Sequence, residues 1–181
     1  MAKIPTIMPI KDVFNMTVAC PYSDLVSLEV TVQPQWLDNN NHLNMGYYVV
    51  VFDDATTGIF REIGLDAAHR AANNITTFSL EAHVTYDREV LLDDPLKIYT
   101  RLLDYDEKRI HYMHFMYHAE QGYLAATNEL MSLHVSEETR RAAPMHPEIQ
   151  ANLARVLDHH NSFPVPEKKG RSVGLHNKKA T

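Results

Sequence analysis

The chain has 181 residues, 45% of them hydrophobic, and a formal net charge of −6. That length fits one domain with at most a small appendage, and the apolar fraction argues against global disorder. The acidic balance argues against a nucleic-acid binder, which needs a basic face to displace counterions from phosphates. The single cysteine, Cys20, permits no internal disulfide and suits a reducing, cytoplasmic setting. The N-terminus lacks the uninterrupted apolar core of a signal peptide. No run approaches the roughly 20 apolar residues of a membrane span.

Residues 1–27 carry three prolines in mixed sequence and read as a lead-in. In SLEVTVQP, Leu28, Val30 and Val32 alternate with polar neighbours up to Pro34, which predicts a half-buried strand ended by proline. A polar loop, Gln35 to His42, follows. The stretch from Asn44 to Ile63 predicts a helix, with Asn44 as its cap and Gly64 as its terminator. Its first half, Tyr47 to Phe52, is apolar all round, so burial on most sides is expected. Leu65 to Ala72 reads as a short second helical piece.

The period then changes to two. In ITTFSLEAHVTYD, Phe78, Leu80, Ala82, Val84 and Tyr86 are expected on one face, and Thr77, Ser79, Glu81, His83 and Thr85 on the other. LKIYTRLLDYD, RIHYMHFMYHA and YLAATNELMSLHVS follow, separated by turns at Glu107-Lys108 and Gln121-Gly122. Together they read as four consecutive antiparallel strands. Pro147 to His160 predicts a last amphipathic helix, and residues 161–181 a basic tail with five Lys/Arg and one Glu.

A long helix that is apolar on most sides needs a sheet that wraps it. The expected fold is therefore α+β and of hot-dog type, an antiparallel sheet of about five strands around a central helix. The domain would span 28–160 between the lead-in and the tail. Strand edges left open by such a sheet favour a homodimer or homotetramer.

The loop QWLDNNNHLNMGYY carries the chemistry. Asp38 precedes a helix start, where backbone N–H groups and a partial positive charge can polarise a carbonyl and hold an oxyanion. An aspartate there can activate water or attack the carbonyl itself, with His42 and Asn44 orienting the water or the carboxylate. Ordinary turn and cap roles are the commoner use of Asp and Asn, so the pattern alone is not specific.

V-x-P-x-W-x-D-x-N-x-H-x-N-x-x-x-Y, followed by a buried helix and four strands, resembles the hot-dog acyl-CoA thioesterases of the 4-hydroxybenzoyl-CoA thioesterase-like group. The resemblance implies that Asp38 is the catalytic carboxylate. The group often has glycine where Asn41 stands, and many of its members have an acidic residue where Trp36 stands. FDDATTGIFREIGLDAA, FSLEAHVTYDREV, DEKRIHYMHFMYH, ATNELMSLHVS and KKGRSVGL are similar to betainyl-CoA thioesterases, found alone or fused to carnitine dehydrogenases. This covers roughly residues 28 to 175. It implies an acyl-CoA substrate, specifically hydrolysis of betainyl-CoA to glycine betaine and CoA in carnitine breakdown, with no cofactor.

A quaternary ammonium favours aromatic faces. Trp36, Tyr47, Tyr48, Phe52, Tyr112 and Phe115 are candidate walls, Trp36 first because it lies two residues from Asp38. Glu81 would add negative charge. The plainer reading is that most of these aromatics fill the core. The 11 histidines show no metal-ligand spacing, since His111 and His114 would face opposite ways on one strand, and no metal is expected. Asp53 or Asp54, mid-helix, is the runner-up catalytic carboxylate. No phosphate-binding glycine loop is visible. Surface cations such as Arg88, Lys108 and Arg109 are the remaining candidates for CoA phosphates. Two other readings are an enoyl-CoA hydratase or dehydratase pairing His42 with Asp54, and a non-catalytic acyl-CoA-binding protein.

Overall fold

The computed structural model describes residues 20–174. The expected lead-in up to residue 19 and the last seven tail residues lie outside them. Strand β1, Ser27–Thr31, leads through a single 3-10 turn, Pro34–Trp36, into the polar loop. Helix α1, Met45–Glu62, follows, with Asn44 as its N-cap: the Asn44 side chain accepts from the Gly46 N–H at 2.9 Å. Gly64, at φ +81°, lies just past its end, a backbone conformation that disfavours any side chain. Helix α2, Ala67–Asn73, is capped by Asp66. Strands β2 (Ile75–Tyr86), β3 (Pro95–Tyr105), β4 (Arg109–His118) and β5 (Leu124–Ser136) precede helix α3, Pro147–His160.

The five strands form one antiparallel sheet in the order β1-β3-β4-β5-β2. The four later strands follow one another and are all antiparallel, as expected, but they do not lie side by side in chain order. Instead β2 lies at the far edge beside β5, and residues 87–94 return the chain across the sheet to β3. The return is pinned where it passes α1. The Leu43 N–H donates to the Val90 carbonyl at 2.8 Å, and the Val32 N–H to the Asp94 carbonyl at 3.1 Å.

Helix α1 buries Tyr48, Val51, Phe52, Ala55, Thr56, Ile59 and Phe60, the one stripe that a 3.6-residue period places on a single side. Its N-terminal half packs on Val32, Leu96, Ile98 and Met116, and its C-terminal half on Leu102, Ile110, Tyr112 and the buried side of α3. The sheet thus wraps the helix, and the architecture is the hot-dog fold. The all-round burial expected of Tyr47 to Phe52 is not met. Val49 and Val50 are 43% and 48% exposed, because the sheet curls around the opposite side of α1 without enclosing it.

The strict alternation read along β2 also fails. The register with β5 shifts between Ser79 and Glu81, so Leu80 is an extra residue. A bulge of one residue transfers everything beyond it to the other face. Ala82 and Val84 face α1 with their partners Leu130 and Asn128. Phe78, paired with Leu133, joins Glu81 and His83 on the outer face. The outer face carries a third apolar cluster: Tyr99, Leu103, Met113 and Phe115 under Tyr22 and Leu25, with Phe163 from the tail beside them. Arg101 donates to the Phe163 and Pro164 carbonyls and Lys168 to Asp87, so the described part of the tail lies against the sheet.

His114 is fully buried between α1 and the sheet. Thr56 donates its only hydroxyl proton to the Phe52 carbonyl at 3.1 Å, so it must accept from His114 Nε2–H, also at 3.1 Å. The Thr100 hydroxyl then donates to Nδ1 at 2.9 Å. Burial pushes the imidazole pKa down to about 3, so the ring is a neutral core group. His111 faces outward on the same strand, as the alternation requires, and pairs with Glu129 at 2.7 Å.

Candidate active site

Asp38 closes the turn that carries the asparagines. Its Oδ1 accepts from the Asn40 N–H at 2.8 Å and the His42 N–H at 3.2 Å. Its backbone N–H donates to the His42 carbonyl at 2.9 Å, and the Asn41 N–H to its own carbonyl at 3.1 Å. Asn41 stands at φ +61°, which explains why asparagine or glycine belongs there. The backbone donors of Asn40 and then His42 hold the Asp38 carboxyl below its usual pKa, so it is ionised at neutral pH. Both backbone bonds fall on Oδ1. Neither uses Oδ2.

His42 holds Asp38 through its main chain, while its ring turns to Glu89, with Nε2 3.3 Å from Oε2. Asn44 accepts from the Gly46 N–H with its side chain, and its carbonyl accepts from the Tyr47 N–H at 2.9 Å. The helix start therefore offers fewer donors than an uncapped end would. The cap leaves out the Met45 N–H, the first donor of α1. The Asn44 N–H donates to the Trp36 carbonyl at 2.9 Å, which ties the 3-10 turn to the helix mouth.

Among the candidate walls, Trp36 and Tyr47 stack on each other at 6.0 Å and remain partly exposed. Tyr48 is buried against Tyr86, edge to face at 5.1 Å. That burial, with Tyr123, Tyr86 and Glu89 nearby, raises its pKa to about 12. Phe52, Tyr112 and Phe115 are 0%, 0% and 4% exposed and fill the core. Glu81 is not brought to Asp38 within the chain. It lies on the outer face of β2, beside a cleft shared with His83, His111 and Glu129. Asp53 and Asp54 are exposed on α1, and His42 pairs with Glu89 rather than Asp54, which stands about 15 Å further along the helix. Lys108 pairs with Glu107 and Arg109 with Asp106, while Arg88 lies 4.3 Å above the Tyr123 ring.

Glu89 and Tyr86 border the site and were not singled out by sequence reasoning. Tyr86 donates to the Met45 carbonyl at 3.3 Å. Nothing local marks either residue: both reach the helix mouth because β2 ends there and the chain turns back across α1.

A family model described as the thioesterase-like superfamily matches residues 32–153, from the end of β1 into α3. The chain belongs to this superfamily. It is 38% identical to a betainyl-CoA thioesterase of Pseudomonas aeruginosa over 83% of this chain and 95% of that protein. It is 36% identical to an L-carnitine dehydrogenase/betainyl-CoA thioesterase of Agrobacterium fabrum, covering 80% of this chain but 29% of that longer protein. A Staphylococcus aureus protein solved in complex with CoA superposes with a TM-score of 0.79 at 28% identity, over 84% of this chain and 96% of that one. No helix among the described residues is long and apolar enough to cross a membrane.

Proposed function

We propose that this thioesterase-superfamily chain hydrolyses betainyl-CoA to glycine betaine and CoA. The observation that carries the chemistry is the ionised Asp38 carboxylate, held by two backbone donors at the mouth of α1. The likeness to the Pseudomonas aeruginosa betainyl-CoA thioesterase over most of both chains supports the substrate.

The thioester carbonyl would sit at the start of α1, its oxygen facing the Met45 N–H and the positive end of the helix dipole. Asp38 Oδ2 attacks the carbonyl carbon, the C–S bond breaks, and CoA leaves as its thiolate. Water then cleaves the aspartyl anhydride, returning Asp38 and releasing glycine betaine. The alternative is that Asp38 takes a proton from water, which attacks directly. The lowered pKa keeps Asp38 ionised, the form that either route requires. His42 acts through its main chain and Asn44 as the cap. Trp36 and Tyr47 offer an aromatic wall beside Asp38, and the ammonium group draws electrons from the carbonyl and makes it easier to attack.

The chain is also proposed to work as a homodimer. Strand β2 ends the sheet, and Phe78 and Leu80 on it are exposed, as are Val49 and Val50 on α1. An open strand edge next to an apolar helix face fits a second copy of itself.

Thiol release measured over an acyl-CoA panel tests the substrate. Betainyl-CoA should be the best substrate; equal kcat/KM for butyryl-CoA would overturn the reading. A single turnover in oxygen-18 water should place the label in Asp38; its absence there would leave the water-activation route.

A further inference from the structure

We propose that Glu89 and Tyr86, rather than Glu81, read the positive charge of the acyl group. This rests on the betainyl-CoA reading above. In a betainyl thioester the quaternary nitrogen is one methylene from the carbonyl carbon, roughly 2.5 Å away by the N–Cα–C geometry of glycine. Whatever recognises it must border the place where Asp38 meets the carbonyl. Glu81 lies on the opposite side of the sheet from α1 and does not.

A quaternary ammonium has no N–H to donate. It is recognised by aromatic faces and by negative charge that needs no directed hydrogen bond. Tyr86 meets that need at the helix mouth. Its hydroxyl holds the Met45 carbonyl, Tyr48 packs against its ring, and it stays 46% exposed. Glu89 supplies the charge. Its carbonyl is held by the Tyr123 hydroxyl at 3.1 Å, and its carboxylate stands 3.3 Å from the His42 ring. That carboxylate is 69% exposed, at a cleft of about 430 Å³ shared with Arg88, Leu91, Asp94, Gln121 and Tyr123. Arg88 already lies over Tyr123, so that ring holds a protein cation, and Tyr86 joins Trp36 and Tyr47 as an accessible aromatic at the helix mouth.

The ammonium keeps its charge from bound substrate to transition state. Contacts to it are uniform binding, and their loss appears mainly in KM. The test compares betainyl-CoA with 3,3-dimethylbutyryl-CoA, the same shape with carbon in place of nitrogen. Wild type should favour the cation. Glu89→Gln should lower the ratio of kcat/KM for the two substrates by about tenfold, mostly through KM for betainyl-CoA. Tyr86→Leu should lower the same ratio and Tyr86→Phe should keep it, since phenylalanine retains the ring face.

If Glu89 acts only through His42 and Asp38, both substrates slow equally, the ratio holds, and the inference falls. A wild type that does not distinguish the two substrates overturns the betainyl-CoA reading itself. A wild type that does, with variants that leave the ratio unmoved, overturns only the assignment to Glu89 and Tyr86.

Discussion

The backbone N–H of His42 donates to Asp38 Oδ1 at 3.2 Å, so this histidine orients the carboxylate with its main chain and leaves its ring to Glu89. A substitution of the His42 side chain therefore tests something different from a substitution of Asp38.

Asp38→Asn keeps an oxygen to accept the Asn40 and His42 N–H groups, so the turn should hold while the charge is lost. Thiol release should fall by about 10³-fold with an unchanged melting temperature. In the wild type, the lowered carboxyl pKa keeps Asp38 ionised where an ordinary aspartate would take up a proton. The acid limb of kcat/KM should bend below the usual carboxylate value of about 3.9. A limb centred near 6 would point to a different group.

Asn44→Ala removes the side chain that accepts from the Gly46 N–H. Loss of an N-cap costs about 1 kcal/mol, to be read from urea denaturation. Asn44→Ser should restore most of it. Activity should follow the same order, because a frayed first turn no longer holds Met45 N–H in place.

His114 makes stability depend on pH. Its pKa is near 3 in the fold against 6.5 for an ordinary histidine, so between those limits the unfolded chain binds the extra proton. The stabilisation is complete above pH 6.5 and is lost as pH falls toward 3, with a slope of about 1.4 kcal/mol per pH unit from this one group. Buried His160, lowered to about 4, acts in the same direction. His114→Gln should flatten the urea stability profile between pH 4 and 6 by about one proton. An unchanged slope would remove His114 from this role.

Val50→Glu places a charge in the exposed apolar face of α1, beside Val49. Sedimentation velocity should show a smaller species than the wild type at equal concentration. A wild type that already sediments as a monomer would rule out the proposed dimer.

Most element boundaries were legible because the signals are local. Asn44 and Gly64 bracket α1 through a side-chain cap and a positive-φ residue, and Pro147 to His160 is the last helix as expected. The turn from Asp38 to His42 was likewise readable from one loop, since a turn is determined by residues in contact along the chain. Tertiary structure decided the rest. The position of β2 beside β5, the bulge at Leu80 that moves Phe78 to the other face, and the exposure of Val49 and Val50 depend on which strand pairs with which. Glu89 reaches His42 across 47 positions for the same reason. Periodicity says which residues share a face; only long-range packing says what that face meets.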